Sequence, residues 1–229
     1  MTFSNPYPGR CGFYCLPVEL LDITSLHPEE QRLVERFKAE KRKAEFITGR
    51  ICAQRSLAQI GVKRFPVIQE RHRIPVWPFS IAGSISHGAN LAAALVCRPG
   101  SGVLGVGLDI EDLTREVKTN ITRHVLTPRE IETWLNGREE VTEDVKRIFS
   151  VKESIYKCFN PIKGIPLGFQ DAEIDEISGG EFHARLLKSP LRRQIKLPLF
   201  IKGRVQEKEG ILLSALKIGV AELIENAYQ

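Results

Sequence analysis

The sequence predicts an α+β fold of two similar lobes, each with helices packed on a small antiparallel sheet. Helical periodicity with recognisable ends occurs twice, over residues 28–61 and 127–159. Strand-like alternation broken by glycine turns follows each helical block, and no long linker separates the two blocks.

The first helix start is His27-Pro28-Glu29-Glu30, with proline at the first position and acids in the first turn. Apolar spacing then runs, with a break, through Leu33, Val34, Phe37, Phe46, Ile47, Ile51 and Leu57 to a C-cap at Gly61. Prolines and short β-like pieces fill 65–78. "NLAAALVCRPGSGVLGVGLDIE" predicts two strands joined at Arg98–Gly102, although its alanines also suit a helix. Thr127-Pro128-Arg129-Glu130 opens a helix to Leu135. A second covers Val141 to Phe159 and stops at Asn160-Pro161. From Asp171 to Val220 the pattern is of antiparallel strands, with turns at Ser178-Gly179-Gly180 and Glu207-Lys208-Glu209-Gly210. "KLPLFIKGRVQEKEGILLSALKI" occupies in the second half the place of Leu91–Glu111 in the first, which predicts a pseudo-repeat with halves 1–111 and 112–229.

Composition narrows the function classes. Of the 229 residues, 42% are hydrophobic and 27% charged, enough apolar surface for a real core. No apolar run reaches the ~18 residues of a membrane span, and the N-terminus lacks a signal-peptide pattern, so a cytoplasmic protein is expected. Five scattered cysteines lack metal-site spacing and read as buried free thiols. The net charge of +5 suits an anionic partner without choosing one.

Chemistry concentrates at "GVGLDIED", Gly105–Asp112. On a strand Asp109 and Glu111 share one face, and like charges side by side need a cation, a proton or solvent. In "FSVKESIYKCF" Glu153 and Lys157 are four apart on a helix. Alone they make a surface ion pair worth about 0.3–0.5 kcal/mol. Beside the strand pair, Glu153 completes the oxygen donors of a magnesium site, with lysines of the helix available for phosphates. "GSISHGAN" offers half of a hydrolytic triad with Asp109, but serine and histidine point to opposite sides of a strand and no Gly-x-Ser-x-Gly elbow exists. A histidine at a strand end can instead bind phosphate. In "EKRKAEFITGRICAQRSL", Lys43, Ile47 and Arg50 share a helical face near Arg42 and Arg55, either as an anion site or as a solvated basic face; Gly49 leaves room for something to approach. Arg71 and Arg73 precede the stiff Pro75, and Trp77 reads as core.

In this order the motifs "KRKAEFITGR", "SISH", "GLDIE" and "FSVKESIYK" resemble the phosphopantetheinyl transferases of the surfactin-synthetase-activating class, most closely the enterobactin-biosynthesis branch. The resemblance implies a pseudo-twofold monomer with coenzyme A bound between the halves. It implies attack by a serine of an apo acyl or peptidyl carrier protein on the β-phosphate, releasing adenosine 3′,5′-bisphosphate. It assigns Asp109, Glu111 and Glu153 to magnesium. Lys157, helped by Lys152, goes to the pyrophosphate, and His87 with Ser86 to the 3′-phosphate region. Lys43, Arg50 and Arg73 become basic groups on the cofactor side, with Arg73, Ile74 and Pro75 bordering the adenine. Glu153 or a metal-bound water is the candidate base. Carriers with an acidic helix suit the positive charge. Phe149 replaces a common tryptophan, Ser154 a frequent alanine, and Ser80 stands where the branch often has glycine. The competing reading is a magnesium-dependent nuclease or nucleic-acid-binding module, which lacks interleaved aromatic residues and leaves Ser-His unused.

Overall fold

The computed structural model describes residues 2–19, 21–69, 74–98, 102–116, 121–137, 142–162, 167–188 and 199–219. In chain order the elements are β1 (Cys11–Pro17), α1 (Pro28–Val34), α2 (Glu40–Gln59), β2 (Ala82–Gly88), β3 (Leu91–Cys97), β4 (Val103–Asp112), α3 (Thr122–Val125), α4 (Pro128–Leu135), α5 (Glu143–Phe159), β5 (Ala172–Ser178), β6 (Glu181–Leu186), β7 (Leu199–Lys208) and β8 (Ile211–Gly219). They form two antiparallel sheets, ordered β1-β3-β2 and β4-β8-β7-β6-β5.

Side-chain alternation explains the layering. On β3, Ala94 and Val96 pack under α2 with Cys52, Ala53 and Leu57, while Ala93, Leu95 and Cys97 face the other sheet. On β8, Leu212, Leu216 and Ile218 pack under α5, whereas Leu213 and Ala215 meet the first sheet. The layers therefore run helix, sheet, sheet, helix. Being buried on both faces is why β3 is a continuous apolar run, and the alanine-rich stretch is strand throughout.

The expected hairpin between Leu91 and Glu111 does not form. β3 pairs with β1 and β2, and β4 crosses to the second sheet to pair with β8. The change of sheet thus falls ahead of the expected division at residue 111. Local alternation marks strands but carries no information on their partners. The tight turn is one step earlier, between β2 and β3, where Ala89 and Asn90 both have positive φ. β1 was not foreseen.

The pseudo-repeat holds with a different phase. In each lobe an edge strand, β1 or β4, precedes a long helix, α2 or α5, and pairs with the lobe's last strand. A Cβ on Gly12 of β1 would lie 2.0 Å from the Ser56 carbonyl oxygen of α2, and one on Gly107 of β4 would lie 1.8 Å from that of Ser154 on α5. Each helix lies against its strand so closely that only glycine fits. The glycines of "GVGLDIED" admit a helix, not a ligand.

The helix ends follow their sequence signals. His27 and Glu30 form a capping box on α1, as Thr127 and Glu130 do on α4, and Gly61 lies just beyond α2 at φ +71°. An N-terminal segment straps the lobes together: Tyr7 Oη donates to the Ala215 carbonyl, and Ser4 bonds Gln206. Phe3 is buried among residues of both sheets. Contrary to the expectation of thiols throughout, Cys11 and Cys97 form a disulfide, being directly opposed in the β1–β3 register. Their 86-residue separation hides that in the sequence. Among the described residues no helix is long and apolar enough to cross a membrane.

Candidate active site

The edge strands β2 and β4 lie side by side where the lobes meet, joined by side chains in place of a ladder. Ser84 Oγ accepts from Leu108 N at 3.1 Å, and Ser86 Oγ donates to Asp109 Oδ1 at 3.0 Å. Ser-x-Ser therefore places two hydroxyls at the seam. At their C-terminal ends a cleft of about 570 Å³ opens. Its wall takes Arg42, Glu45, Phe46 and Arg50 from α2, Ser86 and His87 from β2, Asp109 and Glu111 from β4, and Glu153, Tyr156 and Lys157 from α5, with Ile74 and Pro75 at one side.

β4 explains the carboxylate pair. Val106, Leu108 and Ile110 point into the core between the sheets, which turns Asp109 and Glu111 to the side of α5. Helical spacing brings Glu153 and Lys157 to the same place. Lys157 Nζ bonds Asp109 Oδ1 at 2.6 Å and Ser86 Oγ at 3.1 Å, with Glu153 Oε2 3.8 Å away. Burial works against the Lys157 ammonium, but Asp109, Glu153 and Glu111 outweigh it and hold its pKa above the ordinary lysine value. Glu111 is pushed up to about 7, mainly by burial and then by Asp109. Glu153 is raised chiefly by burial, with Lys157 opposing.

Among the described residues that line the cleft, two carry buried polar atoms without a partner. Asp109 Oδ2 is buried and has no hydrogen-bond partner among the described residues. The same is true of Nε and Nη2 of Arg50, a residue only 3% exposed whose guanidinium lies 4.2 Å from the Phe46 ring centroid. Burial lowers the Arg50 pKa to about 10, still charged at neutral pH. A buried carboxylate oxygen and two buried guanidinium nitrogens without hydrogen-bond partners are costly unless a ligand completes them.

The carboxylate oxygens suit a hard divalent cation in chemistry. Among the described residues, however, no three acidic, histidine or cysteine side chains converge as a metal cluster. The Lys157 ammonium sits on Asp109 instead. Magnesium is usually held by one or two carboxylates plus substrate phosphates and water, so a closed protein cage is not required.

Other expected residues do not reach the cleft. Lys152 points into the second lobe: its side chain is 1% exposed, and Nζ bonds Glu130 Oε2 at 2.6 Å and the Val125 and Phe169 carbonyls at 2.8 and 2.9 Å. All three N–H bonds are satisfied internally, so it has none for a pyrophosphate. Lys43 pairs with Glu40 at 2.6 Å and does not line the cleft; Arg42 takes its place. Ser86 is engaged with Asp109 and Lys157. Space at Gly49 is taken by Ile85, 3.1 Å from where its Cβ would be. Arg73 lies outside the described residues. His87 faces Arg42 and Glu45 while Ser86 faces Asp109, so no hydrolytic triad forms. Sequence reasoning missed Glu45, Phe37 and Phe46; for Glu45 and Phe46 the signal was helical spacing from Arg42 to Arg50.

A family model described as 4′-phosphopantetheinyl transferase N-terminal domain matches residues 29–97, and one described as 4′-phosphopantetheinyl transferase superfamily matches 105–206. The gap between them coincides with the passage from β3 to β4. A 4′-phosphopantetheinyl transferase of Streptomyces mobaraensis is 32% identical over 201 residues, 86% of this chain and 80% of that protein. Enterobactin synthase component D of Salmonella typhi is 33% identical over 193 residues, covering 81% and 77%. A 4′-phosphopantetheinyl transferase of Mycobacterium tuberculosis is 31% identical over 195 residues, covering 82% and 84%. The chain belongs to the 4′-phosphopantetheinyl transferase superfamily and is an enzyme of that class.

Proposed function

We propose that the cleft binds coenzyme A with magnesium and transfers 4′-phosphopantetheine to the serine of an apo acyl or peptidyl carrier protein, as the enterobactin-biosynthesis branch does. The observation that carries this reading is the placement of Arg50, with its unpartnered nitrogens, and the Asp109–Lys157–Glu153 cluster along one cleft, a cationic group for each of two phosphate positions.

Arg50 and Arg42 receive phosphate of the nucleotide end, His87 stands beside them, and Ile74 and Pro75 flank the base. Lys157 holds the pyrophosphate, with Ser86 fixing Asp109. Asp109, Glu111 and Glu153 are the residues to hold magnesium, which neutralises charge at the pyrophosphate when bound. The Glu153 carboxylate, whose proton affinity burial raises, accepts the proton of the carrier serine. The serine oxygen forms a bond to the β-phosphorus, and the bond to the bridging oxygen breaks. Adenosine 3′,5′-bisphosphate leaves with that electron pair. Carriers presenting an acidic helix complement the net charge of +5.

Incubation with coenzyme A, magnesium and several apo carriers, followed by intact-mass analysis, tests the reading. A phosphopantetheine adduct on a carrier serine is expected. No adduct on any acyl or peptidyl carrier would overturn it, and cleavage of plain DNA or RNA would revive the nuclease reading.

A further inference from the structure

We infer that Glu45 is a positioning residue for this reaction: its carboxylate, set on α2, aligns Arg42 and His87 so that they meet the terminal phosphate of the nucleotide substrate. The inference rests on the proposed coenzyme A site. Arg42 Nη1 donates to Glu45 Oε2 at 2.8 Å and lies 3.2 Å from His87 Nε2. His87 Nδ1 is 3.7 Å from the same Oε2. Arginine has no acceptor and keeps its protons, so Nε2 must be the acceptor in this contact. The ring proton of the neutral imidazole is then on Nδ1, facing Glu45. One carboxylate oxygen therefore fixes the guanidinium, whose contact with Nε2 sets the tautomer, and faces Nδ1 across 3.7 Å.

Exposure assigns the roles. The Glu45 side chain is 12% exposed, against 41% for Arg42 and 36% for His87. The acid is the anchor and the two nitrogen-bearing groups are the accessible face. Arg42 and His87 line the same cleft wall as the unpartnered Arg50 nitrogens. When an anion arrives, Arg42 turns its remaining N–H groups to it and releases Nε2, which takes up a proton from solvent so that the imidazolium, facing Glu45, donates to the anion. Glu45, 3.7 Å from Nδ1, attracts the ring by its charge during that exchange. A carboxylate in an anion site also repels the anion, but here Arg42 already neutralises it. Holding a long, rotamer-rich arginine in one place is the larger effect.

The charged groups around His87 are Glu45 and Arg42 from α2, Lys157 from α5 and Asp109 from β4. Glu45 alone belongs neither to the proposed metal set nor to the groups that touch phosphate. Its substitution thus isolates positioning from binding.

Titration calorimetry with coenzyme A and with 3′-dephospho-coenzyme A, on the native protein, Glu45→Ala and Glu45→Gln, tests this, together with steady-state transfer to a carrier. The native protein should prefer coenzyme A by about tenfold or more, as expected for a charge-assisted phosphate contact. Glu45→Ala should weaken coenzyme A by about tenfold, raising KM with kcat nearly unchanged, and leave the dephospho analogue unaffected. Glu45→Gln keeps an acceptor for Arg42 and should restore part of the preference. Equal weakening of both ligands would mean that Glu45 merely supports the fold, and unchanged or tighter coenzyme A binding would likewise overturn the inference. Absence of any preference in the native protein would instead remove the terminal-phosphate site itself, and Glu45's role with it.

Discussion

Lys152 and Lys157 stand five residues apart on α5 and look equivalent in the motif, yet they live in different regions. Lys152 lies inside the second lobe, 1% exposed, its three donors matched by a carboxylate and two carbonyls. Lys157 lies at the seam between lobes, 28% exposed, with Asp109, Ser86 and Glu153 around it. A helix turns 100° per residue, so five residues carry a side chain most of the way to the other face. The first lysine closes a buried network that docks α4 and the Phe169 segment on α5. The second faces a cleft that still holds unpartnered groups. Unsatisfied valence, more than charge or motif membership, separates a binding lysine from a structural one.

The largest expected effect tests the buried side of this contrast. Lys152→Ala leaves Glu130 without its cation at 1% exposure, although Thr127 N and Ile174 N still donate to it. It should cost about 3–5 kcal/mol in urea unfolding. Transfer by the molecules that remain folded should be unchanged. A specific loss of transfer with full stability would place Lys152 in the chemistry after all. Lys157→Ala should do the reverse, cutting kcat/KM by about 10²–10³-fold, roughly 2.7–4 kcal/mol. Its stability loss should be less than half that of Lys152→Ala.

Gly107→Ala sharpens the point from the strand side. Its Cβ would press on the Ser154 carbonyl and on Cys158 N, forcing α5 away from β4 at a cost of about 1–3 kcal/mol. Stability and transfer should fall together, because that contact sets where Glu153 and Lys157 stand. A variant with full stability and activity would show that the packing is loose.

pH reads the seam through Glu111. Its folded pKa of about 7 exceeds the ordinary carboxyl value, so the folded state binds that proton more tightly than the unfolded chain does. The resulting stability is full below the unfolded value and is lost as pH rises through about 7. With chelator present, the unfolding midpoint should fall between about pH 5 and pH 8, and magnesium should recover it at the upper end. Glu111→Gln should flatten both responses. No magnesium effect on the native protein at pH 8 would argue against a cation at this carboxylate pair.

The smallest effect lies at neither lysine. Ser80 has φ +65°, the left-handed region where glycine is at ease. Ser80→Gly should stabilise by about 1 kcal/mol and leave transfer unchanged. A change in transfer would tie this turn to the cleft.

Much of the site was legible because it depends on local periodicity. Alternation along β4 places Asp109 and Glu111 on one face, and i,i+4 spacing places Glu153 with Lys157. Capping boxes at His27 and Thr127 mark helix starts to the residue. Lys152 was misread because the motif does not say which helical face meets the core. Glu45 was overlooked because an acid among basic residues reads as a surface pair until His87, 42 positions later, arrives beside it.

The sequence by itself determined most of the elements, though not β1, with the two-lobed repeat and the chemical types at the cleft, since these follow from side-chain periodicity and backbone preferences within a few residues. Only the tertiary structure decided that β3 and β4 part into different sheets, that Cys11 meets Cys97, and that Lys152 is buried while Lys157 faces the cleft. Those outcomes depend on contacts between residues far apart in the chain. Strand partnership and helix rotation are fixed by burying apolar faces from both lobes at once, a condition no local stretch contains.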